Sequence, residues 1–487
     1  MSLAVLSDEA ISDLLENLTR DEAHHFQDAL KNALHEYSTG TQPGYKAVDT
    51  SPYHQPERVS TYSDRTRATT LFMPSISPNG HGVKVVTVSS PHASRSPATI
   101  KPTGSLTLYS PDGSPIGFLH AQTLTAFRTA LASSCLLVKR TTVRTLTVFG
   151  SGLQAYWHIR LALMLRGKTI RVVNIINRQF SDNAKHILRQ FYAVPTEVKE
   201  REGWDEVQFS MLTPGYGEYQ RLQKEHLRAA DVIYCCTPST EDLFDATILT
   251  SHEGRKKGRL IVAVGSYTKD MRELPRELIN QATRHHQRGH FHYHKHATEG
   301  GVIVVDSLDG VLKEAGEIID AGLGPTQLVE IGELIMINRA RDDDSSSTEA
   351  SSLSESIEKL DVGSPMSSFF GSAGSANPDS SRRSSSPSSL YGRRRSSGSI
   401  HSISSITGSN GFHLPSFRSH KRLGSRRLSV EEKELQRHDD HLLRWLTSGN
   451  VIYKSVGLGL MDLVVGHEII KLANAKGVGT HVENFSP

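Results

Sequence analysis

The spacing of apolar positions changes along the chain. Near the amino terminus Ile11, Leu14, Leu15 and Leu18 recur at helical intervals, with Ser7 and Thr19 placed as N-caps and Thr19 and Glu22 in the order of a capping box. From about 58 to 120 the pattern becomes short β-rich runs. VKVVTV (83–88) and SLTLYS (105–110) predict strands, and Pro111-Asp112-Gly113 reads as a hairpin connection. A helix is predicted over about 122–138. After Thr145, apolar runs at 146–150, 170–176, 231–236, 260–265 and 302–306 alternate with helical stretches at 153–166, 181–192 and 275–283, with a weaker strand signal near 196–210. Nearly continuous apolar strands suit a parallel sheet covered on both faces, so the fold class is α/β with a Rossmann-type doubly wound parallel sheet. Past 430, two stretches (431–447 and 453–475) read as helix. The second places Val456, Leu460, Leu463 and Val464 at helical spacing, and this tail is expected to dock on the first domain.

Composition sharpens this division. The chain has 487 residues, of which 37% are hydrophobic, so two or three domains and a diluting polar segment are expected. That segment is Ser345–Ser429, about one-third serine, with ten Lys or Arg and no acid between Ser380 and Val430. It cannot bury enough apolar surface to offset its ordering entropy and is predicted to be a disordered Ser/Arg-rich insertion. The boundaries expected are 1–140, 141–340 (the Rossmann domain), 341–432 (the insertion) and 433–487 (helices that return to the first domain).

A net charge of +3 from 55 basic and 52 acidic residues argues against a dedicated nucleic-acid partner. No apolar run approaches the length of a membrane span, and the start MSLAVLSDEA lacks the pattern of a signal peptide. Three cysteines (Cys135, Cys235 and Cys236) are too few for a disulfide framework or a four-thiolate zinc site. The expectation is a cytoplasmic protein with reduced thiols.

Candidate chemistry begins at Gly150-Ser151-Gly152-Leu153-Gln154-Ala155, which follows one predicted strand and opens a helix. Gly150 permits the tight turn, Gly152 lets the backbone approach a pyrophosphate, and Ala155 allows close packing of helix on strand. The helix N-terminus offers free N–H groups to the phosphates. The next strand ends in Asn177-Arg178 rather than in the acid that bonds the ribose hydroxyls of NAD. An arginine can pair with a 2′-phosphate, which favours NADP(H) and leaves NAD(H) as the alternative.

These features, with Gly82–Thr87, Leu124–Ala130, Ala230–Thr240, Val262–Leu274, Val304–Ile318 and Tyr453–Leu463, resemble the ornithine cyclodeaminase/mu-crystallin family over about 50–340 and 450–480. The resemblance implies an α+β substrate-binding and dimerisation domain before the Rossmann domain, a homodimer, and final helices that complete the first domain. It also implies roles for individual residues. Arg58 would grip a substrate carboxylate, Lys84 would lie at the pocket floor, and Arg128 would sit near substrate and cofactor phosphate. Thr99, Leu153, Gln154, Thr237, Val264, Gly265 and Ser266 would contact the cofactor, and Val456 and Gly457 would close the substrate site.

The residue types make chemical sense. Arginine forks suit the carboxylate of an imino or amino acid, and a lysine crowded by Arg58 and Arg128 would have a depressed pKa suited to proton transfer. Cyclodeaminases of the family carry an aspartate where this chain has Tyr267, with Asp270 and Glu273 as nearby alternatives. A tyrosine near neutral pH offers no carboxylate to an ammonium group. The implied activity is therefore NADPH-dependent reduction of the C=N bond of a small cyclic imino acid, of the ketimine reductase type. Two alternatives stay open: conversion of L-ornithine to L-proline and ammonia with NAD, and a non-catalytic NADP(H)-binding regulatory protein.

Three further signals carry less weight. His285, His286, His290, His292, His294 and His296 could present imidazoles to a metal, but the reading preferred is a solvated loop, so no metal site is assigned. Cys235 and Cys236 end a strand, one expected to face the core and the other the nucleotide cleft, and both read as structural. Arg382-Arg383-Ser384 and Arg426-Arg427-Leu428-Ser429 resemble sites for basophilic kinases.

Overall fold

A computed structural model describes residues 2–41, 52–89, 102–284, 300–334 and 442–485. The histidine cluster, Thr99, the serine-rich segment and both arginine–serine motifs lie outside the described residues.

Two sheets organise the chain. The first uses β1 (Leu3–Leu6), β2 (Val59–Ser63), β3 (Ala68–Ser77), β4 (Gly80–Ser89), β5 (Thr103–Tyr109) and β6 (Pro115–His120). The second uses β7 (Thr145–Phe149), β8 (Val172–Ile176), β9 (Gln208–Leu212), β10 (Val232–Cys235), β11 (Leu260–Ala263), β12 (Val302–Val305), β13 (Val329–Glu330) and β14 (Val451–Lys454). A last strand, β15 (Thr480–Val482), rejoins the first sheet. The orders are β15-β1-β6-β5-β4-β3-β2 and β13-β12-β14-β11-β10-β7-β8-β9. Every pairing in the second sheet is parallel. Helices lie between its successive strands, as the doubly wound reading requires.

Local signals behave as expected at several points. Ser7 caps the helix Asp8–Glu16 through the N–H of Ala10. Thr19 and Glu22 exchange capping bonds at 2.8 and 3.1 Å. The helix Ala121–Leu137 is buried on nearly all sides, which fits its evenly apolar sequence.

Three stretches differ from the sequence reading. Leu3–Leu6 is a strand, paired in parallel with β6, where helix was expected near the amino terminus. The weak strand near 196–210 separates into a helix, Thr196–Glu202, and β9. Residues 451–454, placed above with the tail of helices, form β14, inserted between β11 and β12. A four-residue apolar strand running into an apolar helix leaves little change of period to mark the join. Arg140 anchors this re-entry by donating to the carbonyls of Leu446 and Gly449 at 3.2 and 2.8 Å.

After β14 the helix Gly459–Lys476 crosses to the first sheet and covers its inner face. Leu463, fully buried, belongs to the same core as Leu106, Leu108 and Leu119 of that sheet. On β4 the inward positions are Gly80, Gly82 and Lys84, so the alternation of the strand places the lysine beneath this helix. Leu463→Ala should cost about 2–5 kcal/mol, read as a lowered urea midpoint at unchanged slope. Unaltered stability would contradict this packing.

Candidate active site

The glycine turn stands at the end of β7. Gly150 has φ +104°, and a Cβ there would lie 2.9 Å from the carbonyl oxygen of Cys236. Only glycine meets both conditions without strain. Gly152 is the N-cap of the helix Leu153–Arg166 and brings no side-chain cap, and a Cβ on it would meet nothing within 4 Å. Among the described residues the helix thus opens onto free space, with the N–H groups of its first turn unsatisfied, which suits an anion such as a pyrophosphate. Gln154, in the first turn, donates to the Ala126 carbonyl at 3.3 Å. That bond ties the turn to the helix that carries Arg128.

The other expected cofactor residues follow neighbouring strands at the same sheet edge. Thr237 follows β10 and Val264, Gly265 and Ser266 follow β11; a Cβ on Gly265 would fall within 2.5 Å of the Thr237 backbone. Glu273 holds these loops. Its carboxylate accepts from the Thr237 N–H at 2.8 Å, the Gly265 N–H at 2.8 Å and the Ser266 N–H at 3.2 Å. Asn177 and Arg178 follow β8. The Asn177 side chain donates to the Gln179 carbonyl at 2.7 Å, while Arg178 is exposed and forms no ion pair among the described residues.

The cationic residues converge in the first sheet and its covering helices. Lys84 Nζ lies 2.7 Å from one carboxylate oxygen of Asp462, and Arg128 Nε lies 3.2 Å from the other. All three side chains are buried. The Lys84 ammonium is pushed down to about 8, chiefly by burial, with Asp462 pulling it back up and Arg128 and then Arg58 adding repulsion. Repulsion between cations, expected above to be the main cause, is secondary to desolvation.

Residues of the second sheet's edge reach the same place. Arg58 donates to the Tyr267 carbonyl at 2.9 Å and approaches the Val456 carbonyl at 3.5 Å. It also forms a two-point pair with Glu314, with Nε–Oε1 at 2.6 Å and Nη2–Oε2 at 2.5 Å. Asp306, which follows β12, accepts from the N–H groups of Val456 and Gly457 at 3.1 and 2.7 Å. Gly457 has φ +89°, and a Cβ there would sit 2.8 Å from Arg128 Nη2. Any larger residue would displace the guanidinium.

Asp462, Glu314, Asp306 and the bracing role of Glu273 were not found from the sequence. An aspartate inside the apolar run Gly457–Val465 was the available signal, since a lone acid in a buried stripe requires a partner. Of the alternatives to the family aspartate, Asp270 is exposed and Glu273 is committed beneath the loops. The Tyr267 hydroxyl is raised by burial and stays neutral. Cys235 and Cys236 are both buried, against the expectation that one faces the cleft, and burial pushes both thiols well up.

A parallel sheet of the nucleotide-binding type with a glycine turn, joined through its edge loops to a second sheet with a buried lysine and to two arginines beside it, Arg58 just before β2 and Arg128 on the helix Ala121–Leu137, defines a two-sheet α/β protein of Rossmann type. Residues 14–205 match the model of the ornithine cyclodeaminase/mu-crystallin family, and the resemblance read from the sequence is thereby shown. Ketimine reductase mu-crystallin of Mus musculus is 28% identical over 234 residues, 47% of this chain and 58% of that protein, so less than two thirds of that relative is spanned. Delta(1)-pyrroline-2-carboxylate reductase of Bacillus cereus is 26% identical over 281 residues, 56% of this chain and 72% of that one. The solved Delta(1)-pyrroline-2-carboxylate reductase of Thermococcus litoralis, in complex with NADH and L-proline, has a TM-score of 0.56 at 17% identity, covering 99% of this chain and 100% of that one. No helix among the described residues is long and apolar enough to cross a membrane.

Asp462→Asn should destabilise the fold by about 3–5 kcal/mol, because it leaves two cations buried without an anion. Guanidinium unfolding checks this. A variant as stable as the parent would mean that the pair is solvated.

Proposed function

We propose that this protein is an NADPH-dependent reductase of a small cyclic imino acid, a pyrroline- or piperideine-type carboxylate. The observation that carries the reading is the buried Lys84–Asp462–Arg128 group, tied to the glycine turn through Gln154 and Ala126. The mouse and Bacillus cereus relatives named above are reductases by their names, one of ketimines and one of a pyrroline carboxylate. The free space before Gly152 and the exposed Arg178, which has no ion pair among the described residues, suit a nucleotide with a 2′-phosphate.

A bound reduced nicotinamide supplies a hydride to the imine carbon. The protein handles the remaining charges. Arg128 and Arg58 hold the carboxylate, which takes the place of Glu314 on the Arg58 fork. Lys84 delivers a proton to the imine nitrogen, so that C=N becomes CH–NH with one hydride and one proton added. A lysine near 8 is protonated at neutral pH yet can release its proton. The neutral Tyr267 hydroxyl disfavours cyclodeamination, which needs an acid toward the substrate's side-chain amine.

Oxidation of NADPH, followed at its absorbance band, should occur with a cyclic ketimine carboxylate and fall as pH rises through about 8, where Lys84 loses its proton. Lys84→Met should lower turnover by about 10²-fold or more. Proline formed from ornithine without net nucleotide turnover would replace this reading with the cyclodeaminase. Nucleotide binding with no turnover, unaffected by Lys84→Met, would replace it with a non-catalytic binding protein.

We also propose a homodimer formed through the outer face of the first sheet. Phe72, Ile76 and Phe118 stand outward there at 38%, 43% and 45% exposure. Phe72 pairs with Val85, and Phe118 with Thr107, so one face carries them all. A second copy presenting the same face would bury them. Sedimentation should show two chains, and Phe118→Glu one; a monomeric parent would overturn this assignment.

A further inference from the structure

We infer that Glu273 is a positioning residue for the nucleotide, its single carboxylate holding together the two loops that receive the cofactor's reactive end. The inference rests on the nucleotide reading above and adds a residue to it.

The parallel ladder between β10 and β11 reaches Cys235 and Ala263, and the Val264 N–H donates to the Cys235 carbonyl at 3.1 Å as its last rung. Beyond it the backbones turn into separate loops with N–H groups unanswered by each other. Glu273 fills that gap. Oε1 accepts from the Thr237 N–H at 2.8 Å and from its hydroxyl at 3.1 Å, and Oε2 accepts from Gly265 and Ser266 at 2.8 and 3.2 Å. The side chain is wholly buried. Its own N–H donates to Glu317 Oε1 at 3.1 Å, and Glu317 also accepts from the Ser266 hydroxyl. Lys454, on β14, lies 3.2 Å from Glu317 and donates to the Ser266 carbonyl at 2.6 Å.

An ionised carboxylate has lone pairs for all four donors, whereas a protonated one brings a hydrogen that the three N–H groups cannot accept and that only the Thr237 hydroxyl could turn to receive. The charged and titratable groups that face Glu273 are Lys454, Glu317, Cys235 and Cys236. Burial is the main influence and raises the carboxyl to about 7, with Lys454 opposing. Acidification through that range therefore loosens the loops.

NADH binding, read by fluorescence titration, should weaken by about tenfold from pH 8 to pH 6. NADH is used because it lacks the 2′-phosphate that titrates in the same range. Glu273→Gln should bind about tenfold more weakly at pH 8 and show little pH dependence. Glu273→Asp keeps the charge but is too short to span both loops, so it should bind weakly with the pH slope retained. Wild-type binding with an unaltered Glu273→Gln profile overturns the inference alone. No binding of any pyridine nucleotide by the wild type at any pH overturns the nucleotide reading and this inference with it. If the variants lose their far-UV circular dichroism, the wild-type profile decides: a flat affinity from pH 6 to pH 8 sinks the proposal.

Discussion

One carboxylate, Asp462, answers two buried cations, and much of the rest follows from that arrangement. Lys84 and Arg128 come from a strand and a helix far apart in the chain. Neither could be enclosed without an anion, since an unpaired charge in an apolar interior is prohibitive. Asp462 bonds one with each oxygen and thereby fixes the helix Gly459–Lys476 over the first sheet. The same contact sets the ionisation of the lysine. Desolvation drives the lysine toward the neutral form and Asp462 restrains it, leaving an amine that holds its proton at neutral pH and can part with it.

The second sheet is coupled to this group by charge and by backbone. Arg58 and Glu57 on one side meet Glu314 and Lys313 on the other as crossed ion pairs. Lys313 is exposed and its pair adds little stability, whereas Arg58 is mostly enclosed and its fork is directional. Asp306 fixes the Val456–Gly457 turn, against which Arg128 lies. Residues that follow β11, β12 and β14 therefore contact Arg58, just before β2, and Arg128, on the helix Ala121–Leu137. This is the position where open α/β sheets place their ligands, at the carboxyl ends of the strands. The polypeptide after residue 442 is essential to both halves, because it supplies β14, Lys454, Val456, Gly457 and Asp462 in succession.

How far the sequence could be read depended on how local each signal was. The glycine turn, the capping box and the apolar strands from Leu146 to Val305 depend on neighbours a few residues away, and they are visible in a short window. Lys84, Arg58 and Arg128 were singled out through family resemblance, and the structure places them around Asp462, Glu314 and Gly457. Leu3–Leu6 and Val451–Lys454 escaped notice because four apolar residues beside a helix have no period of their own. Their strand identity comes from β6 in one case and from β11 and β12 in the other.

The amino-acid order by itself determined the two-part architecture, the glycine turn and the polar segment near the carboxyl end, because backbone preference and hydrophobic period act over short distances. Only the tertiary structure decided which charges meet. Asp462 finds Lys84, Glu314 finds Arg58, and Glu273 bridges two loop backbones across gaps in sequence that no period encodes. Such pairings are set by where packed helices and strands bring their side chains, and burial then turns each pairing from optional to obligatory.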